Sequence, residues 1–375
     1  MTAPSGRDGH AIVRGRARLL AFYLPQFHPI PENDRWWGTG FTEWRNVARA
    51  RPLFRGHVQP VVPGELGFYD LRLAEVQEEQ AALAAEHLVE GFCVWHYWFG
   101  ATRLLHRPVD QVLEGRARHF PFCLAWANEP WSRRWLGEEN DVLQPQTYAD
   151  QDDRDHARWL ATAFASGQYL RVGNRPLFAI YAPMALPDAR RTLDVVKSVV
   201  CAEGLPEPYL VAIDARSPGA DYASLGFDAT LNFEPQLSHL VAALDDGPRV
   251  TRLLSNLRRG VVSARLKVYD ERDARARFAA NRGTSWTHRS VLVGWDNTPR
   301  RGRDGIVLTG GSPASYRESL ALAVDDAERR HAQAEERIVW INAWNEWAEG
   351  NHLEPDLRGG RGYLEATREV NRPRP

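Results

Sequence analysis

Two glutamates three residues apart, Glu346 and Glu349, are the side chains of this sequence that are best placed to do chemistry. Two carboxylates held close together carry out glycoside chemistry, in which one donates a proton and the other acts as base or nucleophile. Indole rings stack on sugar rings, and asparagine side chains hydrogen-bond hydroxyls. Both types surround the pair, at Trp340, Asn342, Trp344, Asn345 and Trp347. The segment therefore predicts a carbohydrate site, and the alternative is a buried tryptophan cluster beside two solvated acids.

The two carboxylates meet if residues 346–349 form one helical turn. Residues three apart on a turn have Cβ atoms about 5–6 Å apart, and retaining glycosidases need carboxyl groups roughly 5–5.5 Å apart. A general acid needs a raised pKa and a base a lower one. We therefore expect Glu346 and Glu349 to have different surroundings.

Eight short apolar runs, separated by helix-length segments, must position this pair. They cover residues 17–23, 91–95, 121–126, 176–181, 209–213, 229–233, 290–295 and 338–341. Helical patterns include residues 71–87, 148–166, 187–203 and 313–330, the last with Ser312 as N-cap and Pro313 at the first position. Runs this apolar are typical of parallel strands buried on both faces. The alternation predicts an α/β fold, a single (β/α)8 TIM barrel with long strand-end loops, ahead of a doubly wound sheet.

Polar and aromatic side chains follow these runs, where barrel enzymes build their sites. We expect substrate to contact a set drawn from the strand ends and loops: Trp36, Trp37, Glu43, His96, Tyr97, Trp98, Asn128, Glu129, Trp131, Asp214, Glu234, Trp295, Asp296, Trp344, Asn345 and Glu354. The indoles expected to wall the sugar are Trp36, Trp37, Trp98, Trp131 and Trp344. The alternative for Glu43 is an ion pair with an arginine, and Asp214 and Glu234 could equally be ordinary loop acids.

Several long motifs resemble one known family. They are Phe22–Ile30, Asn33–Trp44, His96–Phe99, Ala125–Trp131, Gly294–Pro299 and Trp344–Pro355. Together, over about residues 17–365, they resemble the WbsX-type, glycoside hydrolase family 99-like domain. The resemblance implies a (β/α)8 barrel related to endo-α-mannosidases, of a kind found in bacterial surface-polysaccharide clusters and often labelled a glycosyltransferase.

The resemblance also implies roles for the two glutamates. Glu346 would deprotonate the substrate 2-hydroxyl, which attacks its own anomeric carbon to give a 1,2-anhydro sugar. Glu349 would protonate the leaving oxygen and later activate water, with net retention. The chain carries Ala348 where the mannosidases commonly have His, and Pro130 at an often polar position.

Composition and spacing argue against several other functions. The net charge of −1 indicates no nucleic-acid partner. We expect no metal, because the histidines lack ligand spacing, and no cofactor, because Gly38 and Gly40 lack the third glycine of a dinucleotide fingerprint. The arginines at 300, 301 and 303, before the helix at Pro313, could bind phosphate, but a solvated loop is the favoured interpretation.

The chain is expected to comprise a flexible tail over residues 1–16 and one catalytic domain over residues 17–370. The sequence contains no run of about 18 apolar residues, so we expect no membrane span. Residues 1–18 lack the apolar region of a secretory signal. A cytoplasmic location is therefore the expectation. Peripheral membrane association and the oligomeric state stay open.

Three functions fit these observations. A glycoside hydrolase acting on a bacterial glycan is favoured over a surface-polysaccharide glycosyltransferase, because no nucleotide-binding motif is visible. The carboxylate pair favours either enzyme over a non-catalytic glycan-binding protein.

Overall fold

Eight parallel strands close into a barrel in the computed structural model, which describes residues 15–133, 138–217, 219–245, 259–261, 263, 265–280 and 287–374. The strands are β1 (Arg18–Tyr23), β2 (Gly91–Phe99), β3 (Phe122–Trp126), β4 (Arg175–Ile180), β5 (Tyr209–Asp214), β6 (Ala229–Asn232), β7 (Thr287–Leu292) and β8 (Ile338–Asn342). Each pairs in parallel with the next, and β1 also pairs with β8. Closure leaves the sheet no free edge, and the predicted (β/α)8 barrel is confirmed.

Helices cover the outside of the barrel and the loops at its mouth. Those in the described residues span Pro31–Trp37, Glu43–Arg49, Ala74–Glu86, Arg107–Leu113, Asp150–Phe164, Ala189–Ala202, Leu237–Asp245, Glu271–Ala280, Thr298–Arg301, Pro313–Arg330 and Gly362–Asn371. The four helical patterns all form helices. At Ser312 the side chain accepts a hydrogen bond from the Ser315 backbone, and Pro313 takes the first helical position, as predicted.

Aromatic rings fill the barrel interior. Phe22 of β1 stacks on Trp95 of β2 with ring centroids 4.9 Å apart, and its edge meets Phe233 at 5.0 Å. Trp340 of β8 closes the group at 5.5 Å from Phe22. These rings pack against one another inside the barrel, so its interior is a packed core whose upper layer can form the floor of a site.

The seventh strand is displaced from its predicted position. The apolar pattern predicts residues 290–295, whereas β7 spans Thr287–Leu292. Polar side chains begin this strand but are buried and paired: His288 accepts from the Trp340 indole, and Ser290 donates to the carbonyl oxygen of Asn232. Trp295 belongs instead to a separate apolar cluster outside the barrel.

The two ends of the described chain meet beneath the barrel. The Asn371 amide exchanges hydrogen bonds of 2.9 and 3.0 Å with the Ala17 backbone. Arg16, placed in the tail by sequence, pairs with Asp325 and Glu328. Residues 1–14 of that tail lie outside the described residues. Within the described part of the chain, no helix is long and apolar enough to cross a membrane.

Candidate active site

A cavity of about 570 Å³ opens at the C-terminal end of the barrel strands. It is lined by Leu24, Gln26, Trp37, Trp95, Tyr97, Ala127, Glu129, Pro130, Trp131, Ser132, Leu143, Tyr181, Ala215, Arg216, Phe233, Pro235, Gln236, Leu237, Trp295, Asn297, Arg300, Arg301, Asn342, Glu346 and Glu349. Every barrel strand contributes through its end or the loop that follows. This is the position at which TIM-barrel enzymes hold their substrates.

The two glutamates sit on a tight hairpin after β8. The two-residue strands Asn345–Glu346 and Asn351–His352 pair antiparallel, and a 3₁₀ turn over Trp347–Glu349 joins them. Side chains at i and i+3 eclipse on a 3₁₀ turn. Gly350 turns the chain back with φ of 59°, and a Cβ there would approach Asp296 to 3.0 Å. The hairpin therefore turns both carboxylates toward the cavity. The sequence predicted that they would meet if residues 346–349 formed one helical turn.

One guanidinium group binds both carboxylates. The Nη2 atom of Arg300 donates to Glu346 at 2.8 Å, and Nη1 donates to Glu349 at 2.6 Å. The third face of the group, Nε, donates to Glu43 at 2.8 Å. Exposed fractions of the side chains are 8% for Arg300, 0% for Glu43, 9% for Glu346 and 22% for Glu349. The cluster gathers three carboxylates around a single buried cation.

Burial changes the protonation of this cluster. It raises the pKa of Glu346 to about 8, with Arg300 acting to lower that value and Glu349 and Glu43 acting to raise it. Burial also raises the pKa of Glu349. Burial acts to lower the pKa of Arg300, but the three carboxylates hold it well above its usual value. Two raised carboxyl pKa values beside one fixed cation make a pair that can hold and release a proton near neutral pH.

Asp296 fixes the helix that carries Arg300. Its carboxylate accepts hydrogen bonds from the Thr298 hydroxyl at 2.6 Å and the Gln59 amide at 2.6 Å. His57 accepts a bond from the Leu53 backbone on Nδ1, so its Nε2–H donates to Asp296, at 2.7 Å. Burial acts to raise the pKa of Asp296, and these donors hold it below its usual value. Asp296 thus positions Arg300 and, although predicted to contact substrate, does not line the cavity.

Glu354 and Asn345 support the hairpin from behind. Glu354 accepts from Tyr69 at 2.9 Å, Gln80 at 2.6 Å and the Trp347 indole at 2.6 Å. Asn345 bonds both backbone polar groups of Leu24, at 2.7 and 3.1 Å. Both residues are buried, so neither contacts the substrate directly. Their effect on the site is to position the hairpin.

The opposite wall carries a second charged pair and a group of aromatic rings. Arg216 makes two bonds of 2.7 Å to Glu129 and lies over the Tyr181 ring. Trp131 lines the cavity, and Trp36 packs edge-on behind it at 5.7 Å. The predicted contacts that do line the cavity are therefore Trp37, Tyr97, Glu129, Trp131, Trp295, Glu346 and Glu349.

The remaining predicted contacts are buried elsewhere. Trp98 stacks on His156, which also bonds His96 at 3.0 Å, under the helix Asp150–Phe164. Trp344 is fully buried against Phe92. The expected wall of five indoles is therefore wrong for Trp98 and Trp344, because the chain turns them into the core, and Trp36 lies behind Trp131 without lining the cavity.

Three predicted polar contacts serve the loops instead of the cavity. Asn128 exchanges hydrogen bonds with the Ala182 backbone. Asp214 accepts from the Tyr222 hydroxyl at 3.1 Å, and Glu234 accepts from the Leu292 backbone at 3.2 Å. Burial raises the pKa of Glu234 to about 7. Glu43 forms an ion pair with Arg300, which is the alternative that the sequence left open for it.

Arg300 is the residue that sequence reasoning missed. Its segment was interpreted as a solvated loop, but its side chain lies at the centre of the site. The start of the helix Pro313–Arg330, where the less favoured interpretation placed phosphate, lies against a carboxylate, since Glu271 accepts from Ser315 and a Cβ on Gly311 would lie 2.7 Å from it. The sequence predicted Trp95 and Tyr181 as strand residues, and nothing in the sequence indicated that they also form the cavity floor. Among the described residues, no group of histidine, cysteine and carboxylate side chains could hold a metal ion.

Comparison with known proteins places the chain in a family described as a glycosyltransferase. The family model described as Glycosyltransferase WbsX matches residues 19–367. Proteins named WxcX from two strains of Xanthomonas campestris pv. campestris are 42% identical over 357 residues, which is 94% of this chain and 49% of theirs. The chain thus spans about half the length of these relatives.

Solved structures share the fold. The GH99 endo-alpha-mannosidase from Bacteroides thetaiotaomicron has a TM-score of 0.54 at 15% identity, covering 94% of this chain and 96% of that one. A structure titled glycoside hydrolase-like protein has a TM-score of 0.54 at 13% identity, covering 96% of both chains. At these identities the likeness is one of architecture.

Proposed function

The chain belongs to the WbsX glycosyltransferase family, and we propose that it is a retaining glycoside hydrolase acting on a bacterial polysaccharide or oligosaccharide. The observation that carries the proposal is the placement of Glu346 and Glu349 on the same guanidinium at the floor of the barrel mouth. Neighbouring carboxyl groups, rather than a widely spaced pair, are what retention of configuration requires.

In this mechanism Glu346 removes the proton of the substrate 2-hydroxyl, and the oxygen forms a bond to its own anomeric carbon. The glycosidic C–O bond breaks as Glu349 gives its proton to the leaving oxygen, and a 1,2-anhydro sugar results. Glu349, now ionised, takes a proton from water as the water oxygen attacks the anomeric carbon. The epoxide C–O bond breaks, the 2-oxygen recovers its proton from Glu346, and both carboxyl groups return to their starting states.

Substrate binding prepares Glu346 for the role of base. Before substrate binds, burial favours the protonated form of Glu346. A sugar hydroxyl that donates to this carboxylate favours the ionised form, because hydrogen bonding to a charged group stabilises the charge. Arg300 keeps a positive charge beside the pair throughout the cycle, so the cluster can pass a proton without leaving an uncompensated buried anion.

The cavity offers the contacts that a sugar needs. Trp95, Tyr181 and Phe233 form an apolar floor, on which a pyranose ring can lie. Trp295 adds an indole to the cavity lining, on which the same ring can pack. Side-chain amides of Gln26, Gln236, Asn297 and Asn342 complete the polar lining. We expect turnover without metal or nucleotide.

A glycosyltransferase is the second candidate, favoured by the family description. The same two carboxyl groups would serve if an acceptor hydroxyl replaced water in the second step. The two candidates differ in the fate of the glycosyl group, which ends on water in one reaction and on a sugar in the other.

The test is incubation of the purified protein with fragments of bacterial surface polysaccharides in ¹⁸O-labelled water. Mass spectrometry would report label in the new reducing end, and proton NMR would report the first anomer formed. Labelled product with retained configuration supports the hydrolase. Unlabelled products that lengthen with added acceptor support the transferase. Binding without any conversion would refute both and leave a glycan-binding protein.

A further inference from the structure

Arg301 differs from the other arginines of the cavity because its side chain has no hydrogen-bond or ion-pair partner among the residues that the structure describes. It ends the short helix Thr298–Arg301, is half-buried and lines the cavity directly after Arg300. Its backbone N–H bonds Asn297 at 3.0 Å, but its guanidinium makes no hydrogen bond or ion pair with any residue in the described ranges. Five N–H donors on a fixed positive charge are therefore directed to the solvent of the cavity.

The charges of the other two cavity arginines are compensated, whereas the charge of Arg301 is not. Arg300 is neutralised by three carboxylates, and Arg216 is neutralised by Glu129. A guanidinium that is partly removed from water and unpaired loses hydration without compensation. Arginine groups that are kept in this state in a binding cavity are suited to a carboxylate or phosphate brought by a ligand, which they bind through two parallel bonds.

The position of Arg301 indicates where that anion would lie. The helix Thr298–Arg301 packs against the turn Trp347–Glu349, so Arg301 lies near the glutamate that would protonate the leaving oxygen. A ligand anion bound to Arg301 would belong to a sugar unit next to the bond that is cleaved, not to a distant part of the chain.

We propose that Arg301 binds an anionic substituent of the substrate, so that the natural glycan is acidic and carries a uronic acid carboxylate or a phosphate ester near the scissile bond. The inference rests on the proposed function, because it names the substrate class of the same site. It assigns to Arg301 the selection of acidic over neutral glycans, a task in which the Glu346 and Glu349 pair takes no part.

The test compares acidic oligosaccharides with their neutral counterparts. The probes are hexuronic acid oligosaccharides with their carboxyl-reduced forms, and oligosaccharides carrying a phosphate monoester with their dephosphorylated forms. Calorimetry would measure the affinity of each for the wild type, for Arg301→Gln and for Arg303→Gln. Arg303 is the matched control, because it is exposed two residues away and does not line the cavity. Thermal unfolding would establish that both variants are folded.

We expect at least one acidic form to bind the wild type about tenfold or more tightly than its neutral form, the scale of one charge-assisted contact. The preference should disappear in Arg301→Gln and persist in Arg303→Gln, and the probe that shows it identifies carboxylate or phosphate. Equal binding of acidic and neutral forms to the wild type, or a preference that survives Arg301→Gln, would overturn the inference and leave the proposed function intact. Failure of every oligosaccharide to bind would overturn both.

Discussion

The Nε atom of Arg300 donates a hydrogen bond of 2.8 Å to Glu43, across a separation of 257 residues. Glu43 begins the helix after the tryptophan-rich loop and is fully buried, and Asn46 donates to the same carboxylate oxygen at 3.1 Å. This contact fixes the guanidinium plane, so that its two remaining nitrogens face Glu346 and Glu349. Glu43 therefore positions the cation without reaching the substrate.

Glu43→Gln should lower turnover and shift its pH dependence. The charge of Glu43 acts to raise the pKa of Glu346 and of Glu349, so neutralising it should lower both values. The alkaline limb of the pH–rate profile, which reports loss of the acid, should move to lower pH. Glu79→Gln, at an exposed site on the helix Ala74–Glu86, is the matched control. A profile for Glu43→Gln that superimposes on that of the control would show that Glu43 has no such role.

Trp37→Ala and Trp344→Ala should separate binding from stability. Trp37 is half-buried and lines the cavity, so its loss should weaken glycan binding up to about tenfold, the scale of one aromatic contact, with little change in unfolding. Trp344 is fully buried, so its truncation should cost about 3–5 kcal/mol in the free energy of unfolding. Calorimetric binding and denaturant titration would measure the two effects, and a selective binding defect in Trp344→Ala would contradict the assignment.

The apolar runs predicted the barrel because its strands are buried on both faces. Most of their side chains are therefore apolar, and the strands stand out in the sequence. The helix at Pro313 was placed correctly because a capping serine and a proline mark its start. The start of the seventh strand was misplaced because Thr287, His288 and Arg289 are polar yet buried, as is Ser290 after them. The partners of the last three lie on other strands and helices, at Trp340, Phe278 and Asn232, and such pairing has no trace in the local sequence.

The sequence predicted the site residues that are close together in the chain. It did not predict those whose role depends on a distant partner or on the direction of the side chain. Glu346 and Glu349 are close in sequence and meet on one turn. Arg300 meets them from a short helix 46 residues earlier than Glu346, and nothing in its own segment indicates burial. Trp344 and Trp347 lie in the same motif as the two glutamates, but packing beneath the hairpin turns both indoles away from the cavity.

Glu354→Gln should flatten the pH dependence of stability. Burial raises the pKa of Glu354 from 4.5 to about 7, while its bonds from Trp347, Gln80 and Tyr69 act to lower it. The folded protein thus binds a proton that the unfolded chain releases, and this stabilisation is present below about pH 4.5 and lost as the pH rises through about 7. The slope that this group contributes is at most about 1.4 kcal/mol per pH unit.

Denaturant titrations across this pH window would measure the difference. The wild type should lose free energy of unfolding more steeply than Glu354→Gln, whose amide does not titrate. Glu234 and Glu346 contribute to the remaining slope in both proteins, because burial raises their pKa values also. Parallel curves would show that Glu354 keeps the same protonation state in the folded and unfolded chain.

The most direct test of the central claim is the turnover of Glu346→Gln and Glu349→Gln on two substrates of the same sugar. One is the glycan that the wild type converts, and the other is an aryl glycoside whose leaving group needs no protonation. Both variants should lose at least ~10²-fold on the glycan. On the aryl glycoside, Glu349→Gln should recover much of that loss in the first step, measured as initial release of the aryl alcohol, whereas Glu346→Gln, lacking the base, should not. Rates near those of the wild type in both folded variants would contradict the assignment of this pair as the catalytic centre.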